Sequence, residues 1–545
     1  MHHDSIMRIA LAQLNLLIGD LAAAGAAIRA AANKAKSEGA DLLVCPELAA
    51  CGGYPPRDLL ERRWFVDQQW ALVQSLARDL PLPTLIGCVE PLAPGPGPSL
   101  ANALVASADG QIIARYHKRL LPDYDVFDER RYFRPGSEPC IITLAGKRIG
   151  LTICEDIWSA DFSGVRYEVD PVKELIGTCD VIVNVSASPY HARKPDLRNR
   201  VIANVARRTN VPVAYCNQVG AHDELLFDGD SAFIGPDGTS YVDAPRWREA
   251  VIIGDLNKPL PKPLVPDPLE DLYDGLVVGI RDYCAKTQQR KVVLGLSGGI
   301  DSALVATMAV DALGPNQVIG LLMPGPYSSP GSITDALALA KSLGITHHTL
   351  SIKQSCHHLL DELAPAFTGG ASGVAEENLQ SRLRGTMVMA VANKHHAMAL
   401  TTGNKSEIAV GYCTIYGDMN GGLAPIGDVY KTTVWELARL RNRRSPVIPE
   451  ASITKIPSAE LRENQTDQDS LPPYQVLDRI LKRYLEENAS PAEIIASGED
   501  PTTVFRIARL VEISEFKRRQ SAPILRVSRK AFGIGRRMPI ARYVG

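Results

Sequence analysis

Residues 295–302, Gly-Leu-Ser-Gly-Gly-Ile-Asp-Ser, have the types and spacing to hold an anion. They follow a short apolar, β-branched run, Lys291–Leu296, and open an Ala- and Leu-rich segment from Asp301 to Val310 that is long enough for a helix. Ser297, Gly298 and Gly299 are small, which leaves backbone N–H groups free to approach phosphate at a helix N-terminus. No lysine follows the glycines, so this is not a Walker A loop. Asp301 takes a place near the phosphates instead, a position that makes sense where Mg²⁺ bridges a carboxylate to pyrophosphate.

Three further residues sit at the ends of strand-like runs upstream. Glu47 follows Asp41–Cys45, Lys118 follows Gln111–Tyr116, and Cys154 follows Lys147–Ile153. Each alone is unremarkable; a thiol with a carboxylate to take its proton and an ammonium to steady negative charge could do nucleophilic chemistry.

The elements that must position these groups fall into two halves. Residues 257–268 contain five prolines in twelve positions and read as a semi-rigid linker between domains 1–256 and 269–545. Upstream, strands are expected at Arg8–Leu16, Asp41–Cys45, Pro83–Val89, Lys147–Ile153, Asp180–Val185, Val211–Cys216 and Ala232–Gly235, with helices at Leu21–Ser37 and around Trp64–Arg78. Asn102–Ser107 and Gln111–Tyr116 read as a hairpin joined by Asp109-Gly110. The first half is thus a layered α/β domain with too many strands for a minimal Rossmann unit. Downstream, strands at Lys291–Leu296, Gln317–Met323, Thr346–Ile352 and Ala397–Thr402 alternate with helices, which implies a doubly wound parallel sheet. The polar stretch Glu463–Leu471 reads as a mobile loop.

Composition bounds the class. The chain has 545 residues, 45% of them hydrophobic and 22% charged, with a net charge of −2, as expected of a multi-domain globular protein without a general nucleic-acid or membrane surface. No apolar run reaches the ~18 residues of a membrane span, no signal-peptide pattern opens the chain, and the ten cysteines form no C-x-x-C pairs. The compartment reads as cytoplasmic. Nine Lys/Arg and no acid between Lys517 and Arg542 read as a solvated face or phosphate clamp, because aromatic interleaving is sparse. The His pairs 347–348, 357–358 and 395–396 do not suggest a transition-metal site, since adjacent strand residues point apart.

The loop at 295–302 resembles the SGGxDS loop of the ATP pyrophosphatases, and Glu47, Lys118 and Cys154 in their local contexts resemble the triad of the nitrilase (carbon–nitrogen hydrolase) superfamily. That resemblance covers most of residues 7–250. It implies an α-β-β-α sandwich for the first half, with Cys154 attacking an amide carbon, Glu47 as base and Lys118 lowering the thiol's pKa and stabilising the oxyanion. Glu129 occupies the place of the superfamily's second glutamate. Tyr124, Ser188 and Lys194 match positions that hold glutamine in the glutaminase branch. Ser188 is preferred to Ser186 for its six-residue spacing to Lys194.

The two halves together resemble the glutamine-dependent NAD synthetases through the whole chain. The resemblance implies ATP contacts from Gly295, Leu296, Ser297, Gly298, Gly299, Ile300, Asp301, Ser302, Thr402 and Lys431, and deamido-NAD⁺ contacts from Asn378, Glu407 and Lys517. Mg²⁺ is implied on Asp301 and Glu407. Gly385, Tyr416-Gly417-Asp418 and Gly421–Pro425 match further family motifs, and Ile456–Leu461 with the loop to Pro473 looks like a flexible lid. Ile415 stands where smaller, ammonia-dependent members are expected to carry lysine. The implied partners are glutamine, ATP and deamido-NAD⁺, with no nucleic acid and no membrane, in a homo-oligomer. The rival expectations are another amidotransferase with the same loop and a nucleotide-sensing scaffold carrying a relic amidase.

Overall fold

The computed structural model describes residues 7–158, 165, 167–255, 267–367 and 373–544. Contacts divide the chain into two compact units, Met1–Val265 and Pro266–Gly545. Most of the proline-rich segment lies outside the described residues. Its last two do not extend a linker: Asp267 caps the helix Pro268–Lys286 by accepting from Leu269 N at 2.7 Å, and Pro268 takes the first turn, where its missing N–H costs nothing.

Unit one is an α-β-β-α sandwich. One six-stranded sheet runs, in spatial order, Ala250–Asp255, Arg8–Gln13, Leu42–Val44, Thr84–Pro91, Leu100–Ala108 and Gln111–His117. The other runs Ser240–Asp243, Ala232–Ile234, Val213–Asn217, Val181–Ser186, Lys147–Ile153 and Ile141–Leu144. Alternation along the strands builds the layers. Ile9, Leu11, Leu42 and Val44 meet Leu151, Ile153, Val183 and Val185 between the sheets. Ala10, Ala12, Leu43 and Ile86 face the helices Leu21–Ser37 and Arg63–Asp79. On the outer side of the second sheet, Ile182, Val213 and Tyr215 pack against Val201, Ile202 and Val205 of the helix Lys194–Thr209. The Asp109-Gly110 hairpin forms with both residues at positive φ, 51° and 76°, as a tight turn between antiparallel strands requires.

Unit two centres on a four-stranded parallel sheet in the order Thr346–Thr349, Val318–Leu322, Lys291–Gly295, Ala397–Ala399. The chain leaves Lys291–Gly295 toward one edge and later returns to its other side, so that strand is the topological switch point, and the crevice beyond its carboxyl end is where ligands bind in such sheets. Val388 and Ala392 of the helix Val374–His395 pack against Val293, Leu321 and Ala399. A separate helical core gathers Ile408, Leu477, Leu481, Val504 and Val511.

The stretch Glu463–Leu471 differs from its sequence reading. It contains a built turn, Asp467–Asp469, capped reciprocally by Thr466 and Asp469, and Asp467 and Leu471 are buried. The basic end of the chain is likewise drawn inward: Arg518 and Arg536 both pair with Glu515.

Candidate active sites

In unit one, parallel strands deliver Glu47, Cys154 and the 186–188 segment from their carboxyl ends. Glu47 leaves Leu42–Val44 in a turn so tight against Thr84–Pro91 that a Cβ on Gly87 would lie 2.1 Å from Pro46 O and 2.8 Å from Glu47 Cα. Cys154 begins the turn after Lys147–Ile153 with φ of 42°, a left-handed conformation uncommon outside glycine and frequent at functional turns. Lys118 Nζ donates to Glu47 Oε1 and to Glu129 Oε1, both at 2.7 Å, and all three side chains are almost wholly buried. Asn102, which the sequence reading missed, donates to Glu47 Oε1 at 2.7 Å, and Ala187 N donates to Glu47 Oε2 at 2.9 Å.

The electrostatics follow from burial and from two carboxylates sharing one ammonium. Burial works against the Lys118 charge, but Glu129 and Glu47 outweigh it and hold the ammonium well above the ordinary lysine value. Burial pushes the Glu129 carboxyl up to about 8, against the pull of Lys118 and with the push of Glu47. The Cys154 thiol is also pushed well above its ordinary value, by burial first and then by Glu47. Lys118 pulls the thiol down, as expected, but burial and the carboxylates outweigh it, so loss of the proton calls for a base.

Around this centre, Tyr124 and Tyr167 both donate through their hydroxyls to Glu155 Oε1, at 3.0 and 2.9 Å. Lys194 Nζ lies 4.5 Å from the centre of the Trp158 ring. The Ser186 hydroxyl is committed to Asn184 Oδ1 at 2.8 Å, while Ser188 is bound through its backbone N–H to Asn217 Oδ1 at 3.0 Å.

In unit two, the loop from Gly295 to Ser302, Gly298 apart, lines a cavity of about 340 Å³ together with Thr402, Glu407 and Lys431. Ser297 and Ser302 tie the loop to itself: their hydroxyls lie 3.1 Å apart, and Gly299 N donates to the Ser297 hydroxyl at 3.2 Å. The helix Ile300–Leu313 begins at Gly299 without a side-chain cap, so its N-terminus presents donors to an anion. Gly298 stands at φ 78° with its Cβ position 2.2 Å from Ser332 O, where no other residue fits.

Asp301, which the resemblance implies as a Mg²⁺ ligand, has two protein partners in this structure. Its Oδ2 accepts from Lys431 Nζ at 2.5 Å and its Oδ1 from Asn404 Nδ2 at 2.9 Å. Lys431 also donates to Glu407 Oε1 at 3.1 Å. Burial first, then Asp301 and Asp467, push the Glu407 carboxyl up to about 7 despite Lys431. The cluster therefore holds more carboxylate than one ammonium neutralises. Such a set of hard oxygen donors fits Mg²⁺, which takes one or two carboxylates and completes its shell with phosphate and water. Among the described residues no three or more His, Cys, Asp or Glu form a cage that would bind a metal unaided.

Other anticipated residues are engaged differently. Asn378 accepts from the Thr414 hydroxyl at 2.7 Å, and Lys517 Nζ donates to the carbonyls of Gly411 and Cys413 at 2.7 and 2.8 Å. Both brace the 411–418 segment, of which Tyr412, Cys413, Gly417 and Asp418 reach the cavity wall. Residues 456–461 line the cavity too, and Glu460 accepts from the Ser329 and Ser332 hydroxyls at 2.8 and 2.7 Å. Asn404 and Asp467 went unnoticed in the sequence.

Comparison with known proteins agrees with this division. A carbon-nitrogen hydrolase family model matches residues 8–260, and an NAD synthase family model matches residues 272–521. The glutamine-dependent NAD(+) synthetase of Synechocystis is 49% identical over 551 residues, covering 98% of each chain. That of Thermotoga maritima is 40% identical over 580 residues, again covering 98% of each. Among solved structures, the glutamine-dependent NAD+ synthetase of Acinetobacter baumannii, in complex with ADP, is 38% identical with a TM-score of 0.77 over 98% of each chain. The enzyme of Cytophaga hutchinsonii, at 21% identity, shares the fold with a TM-score of 0.83 over the same coverage. With a carbon-nitrogen hydrolase unit and an NAD synthase unit in one chain, and relatives this similar over its whole length, the protein belongs to the glutamine-dependent NAD(+) synthetase family.

Proposed function

We propose that residues 1–256 hydrolyse glutamine and that residues 269–545 use the ammonia to convert deamido-NAD⁺ to NAD⁺, consuming ATP. The overall reaction is deamido-NAD⁺ + ATP + glutamine + water giving NAD⁺ + AMP + pyrophosphate + glutamate. The observation that carries this reading is that one chain holds both a buried thiol–lysine–glutamate centre and an uncapped glycine-rich loop beside a carboxylate–lysine cluster.

In the first unit, Glu47 takes the Cys154 proton as sulfur attacks the side-chain amide carbon of glutamine. Lys118, kept cationic by its two glutamates, stabilises the negative oxygen of the tetrahedral intermediate, and Glu47 returns the proton to the departing ammonia. Water then cleaves the thioester by the same route. Tyr124, Ser188 and Lys194 are proposed to hold the amino-acid end of glutamine. The buried carboxylate of Glu155 complements its ammonium group, and Lys194 its carboxylate.

In the second unit, the nicotinate carboxylate attacks the α-phosphorus of ATP and pyrophosphate leaves, giving an adenylate from which ammonia displaces AMP. Backbone N–H groups at the start of Ile300–Leu313 and Lys431 would meet phosphate oxygens, and Thr402 lines the same cavity. Asp301 and Glu407 are the residues that would hold Mg²⁺, which when bound neutralises charge on the departing pyrophosphate. Asn378 and Lys517 support deamido-NAD⁺ through the segment they brace. A cytoplasmic, homo-oligomeric enzyme is proposed on the family resemblance alone; among the described residues no helix is long and apolar enough to cross a membrane.

The test is product analysis of the purified chain with glutamine, ATP and deamido-NAD⁺, omitting each in turn. NAD⁺ and AMP should form in equal amounts and only when ATP and deamido-NAD⁺ are both present. NAD⁺ formation with ADP as the nucleotide product would contradict the proposal.

A further inference from the structure

Asp156 lies two residues beyond Cys154, is completely buried, and has no direct place in the chemistry proposed above. Its two oxygens accept four hydrogen bonds. Oδ1 takes the backbone N–H groups of Arg119 at 3.1 Å and Leu120 at 2.9 Å. Oδ2 takes the Tyr116 hydroxyl at 2.8 Å and the backbone N–H of Ile153 at 2.9 Å.

These donors bracket the two reacting groups. Tyr116, Arg119 and Leu120 surround Lys118, at the end of the edge strand Gln111–His117 of one sheet. Ile153 immediately precedes Cys154, at the end of Lys147–Ile153 in the other sheet. Between the sheets the core contact is mainly apolar, and apolar side chains set a spacing more than a register. Ala187 N to Glu47 Oε2 is one polar tie across them, and Asp156 is another. A carboxylate bonded to both sides fixes the register as well. The Ile153 bond also closes the turn in which Cys154 is held at positive φ. The Arg119 guanidinium does not serve Asp156: it donates to Glu174 Oε1 at 2.9 Å. A buried carboxylate facing main-chain donors, with no cation bonded to it, is costly unless every oxygen is satisfied, and here each accepts twice.

We propose that Asp156 is a positioning residue for glutamine hydrolysis, tying the Lys118 segment to the Cys154 turn so that ammonium and sulfur are held at their working separation. The inference rests on the reading of Cys154 as the nucleophile. Asp156→Asn replaces one acceptor oxygen by an NH₂ group, which must face main-chain N–H on one side or the other, so one of the two ties is lost.

The experiment uses the full chain with Asp156→Asn and, separately, Tyr116→Phe, which keeps the carboxylate and the ring packing and removes one donor. Three rates are measured: NAD⁺ synthesis from glutamine, NAD⁺ synthesis from ammonium chloride, and alkylation of Cys154 by iodoacetamide. Asp156→Asn should lower kcat with glutamine about a hundredfold, with KM for glutamine moving less than about twofold. Alkylation should slow and ammonium-driven synthesis should stay at the wild-type rate. Tyr116→Phe should show a smaller fall in the same parameter, and it decides alone if Asp156→Asn does not fold. Folded variants that keep wild-type kcat with glutamine and wild-type alkylation, losing only thermal stability, would overturn the inference. Glutamine-driven synthesis surviving in Cys154→Ala would instead overturn the reading beneath it.

Discussion

Asn404 donates through Nδ2 to Asp301 at 2.9 Å, while its own Oδ1 accepts from Glu407 N at 3.1 Å and so caps the short helix that bears Glu407. One amide thereby sets the relation between the two carboxylates assigned to Mg²⁺, and it can do so only as an amide, because it must donate on one side and accept on the other.

Asn404→Asp keeps the cap but places a carboxylate against Asp301. Loss of such an outer partner typically costs about 10–100-fold in metal affinity or activity. Ammonium-driven synthesis should therefore fall by that order and require more Mg²⁺, while hydrolysis of glutamine to glutamate is retained. Unchanged Mg²⁺ dependence in a folded variant would separate Asn404 from the metal site.

Gly87 lets the Glu47 turn lie against its neighbouring strand. Gly87→Ala puts a methyl within 3 Å of backbone at Pro46, Glu47 and Leu48, atoms that cannot rotate away. Overpacking of this kind costs about 1–3 kcal/mol, and Glu47 is displaced from Lys118. Steady-state assays should show glutamine-driven synthesis falling sharply beside near-normal ammonium-driven synthesis. Equal loss of both would mean that the whole chain, and not the glutamate, had been disturbed.

Burial pushes the Glu129 carboxyl from its ordinary value of about 4.5 up to about 8 in the folded chain. Between those values the folded state binds more protons than the unfolded one, so stability falls as pH rises from about 4.5 through about 8. Glu129→Gln removes that titration. Chemical denaturation from pH 5 to 9 should give a shallower loss of stability in the variant than in the wild type. Parallel curves would remove Glu129 as the group responsible.

In the first unit the short strands Ile141–Leu144, Val219–His222, Leu225–Asp228, Ser240–Asp243 and Ala250–Asp255 were not legible in the sequence. Most of the central strands, the hairpin and the candidate residues Glu47, Lys118 and Cys154 were, because short apolar runs end at residues whose chemistry is out of place in a core. Glu47, Lys118 and Cys154 announce themselves that way. Their supports do not: Asn102, Asn404 and Asp156 are ordinary polar residues until the fold brings up a distant partner, in the case of Asn404 and Asp301 one 103 residues away. The polar stretch around Asp467 misled for the opposite reason. Its composition is that of a loop, but the Tyr474 hydroxyl binds Asp467 at 2.7 Å and holds it beside Glu407, an arrangement no periodicity foretells. Lys517 and Lys431 were recognised by motif, yet their ammonium groups face carbonyls and carboxylates of the chain itself.

In the proposed division of labour, the thiol serves only ammonia release and the second unit does the amidation. The most direct measurement compares NAD⁺ synthesis by Cys154→Ala from glutamine and from ammonium chloride at saturating ATP and deamido-NAD⁺. Synthesis from glutamine should fall to background while synthesis from ammonium stays near the wild-type rate; loss of both activities in a normally folded variant, or persistence of the glutamine-driven one, would contradict it.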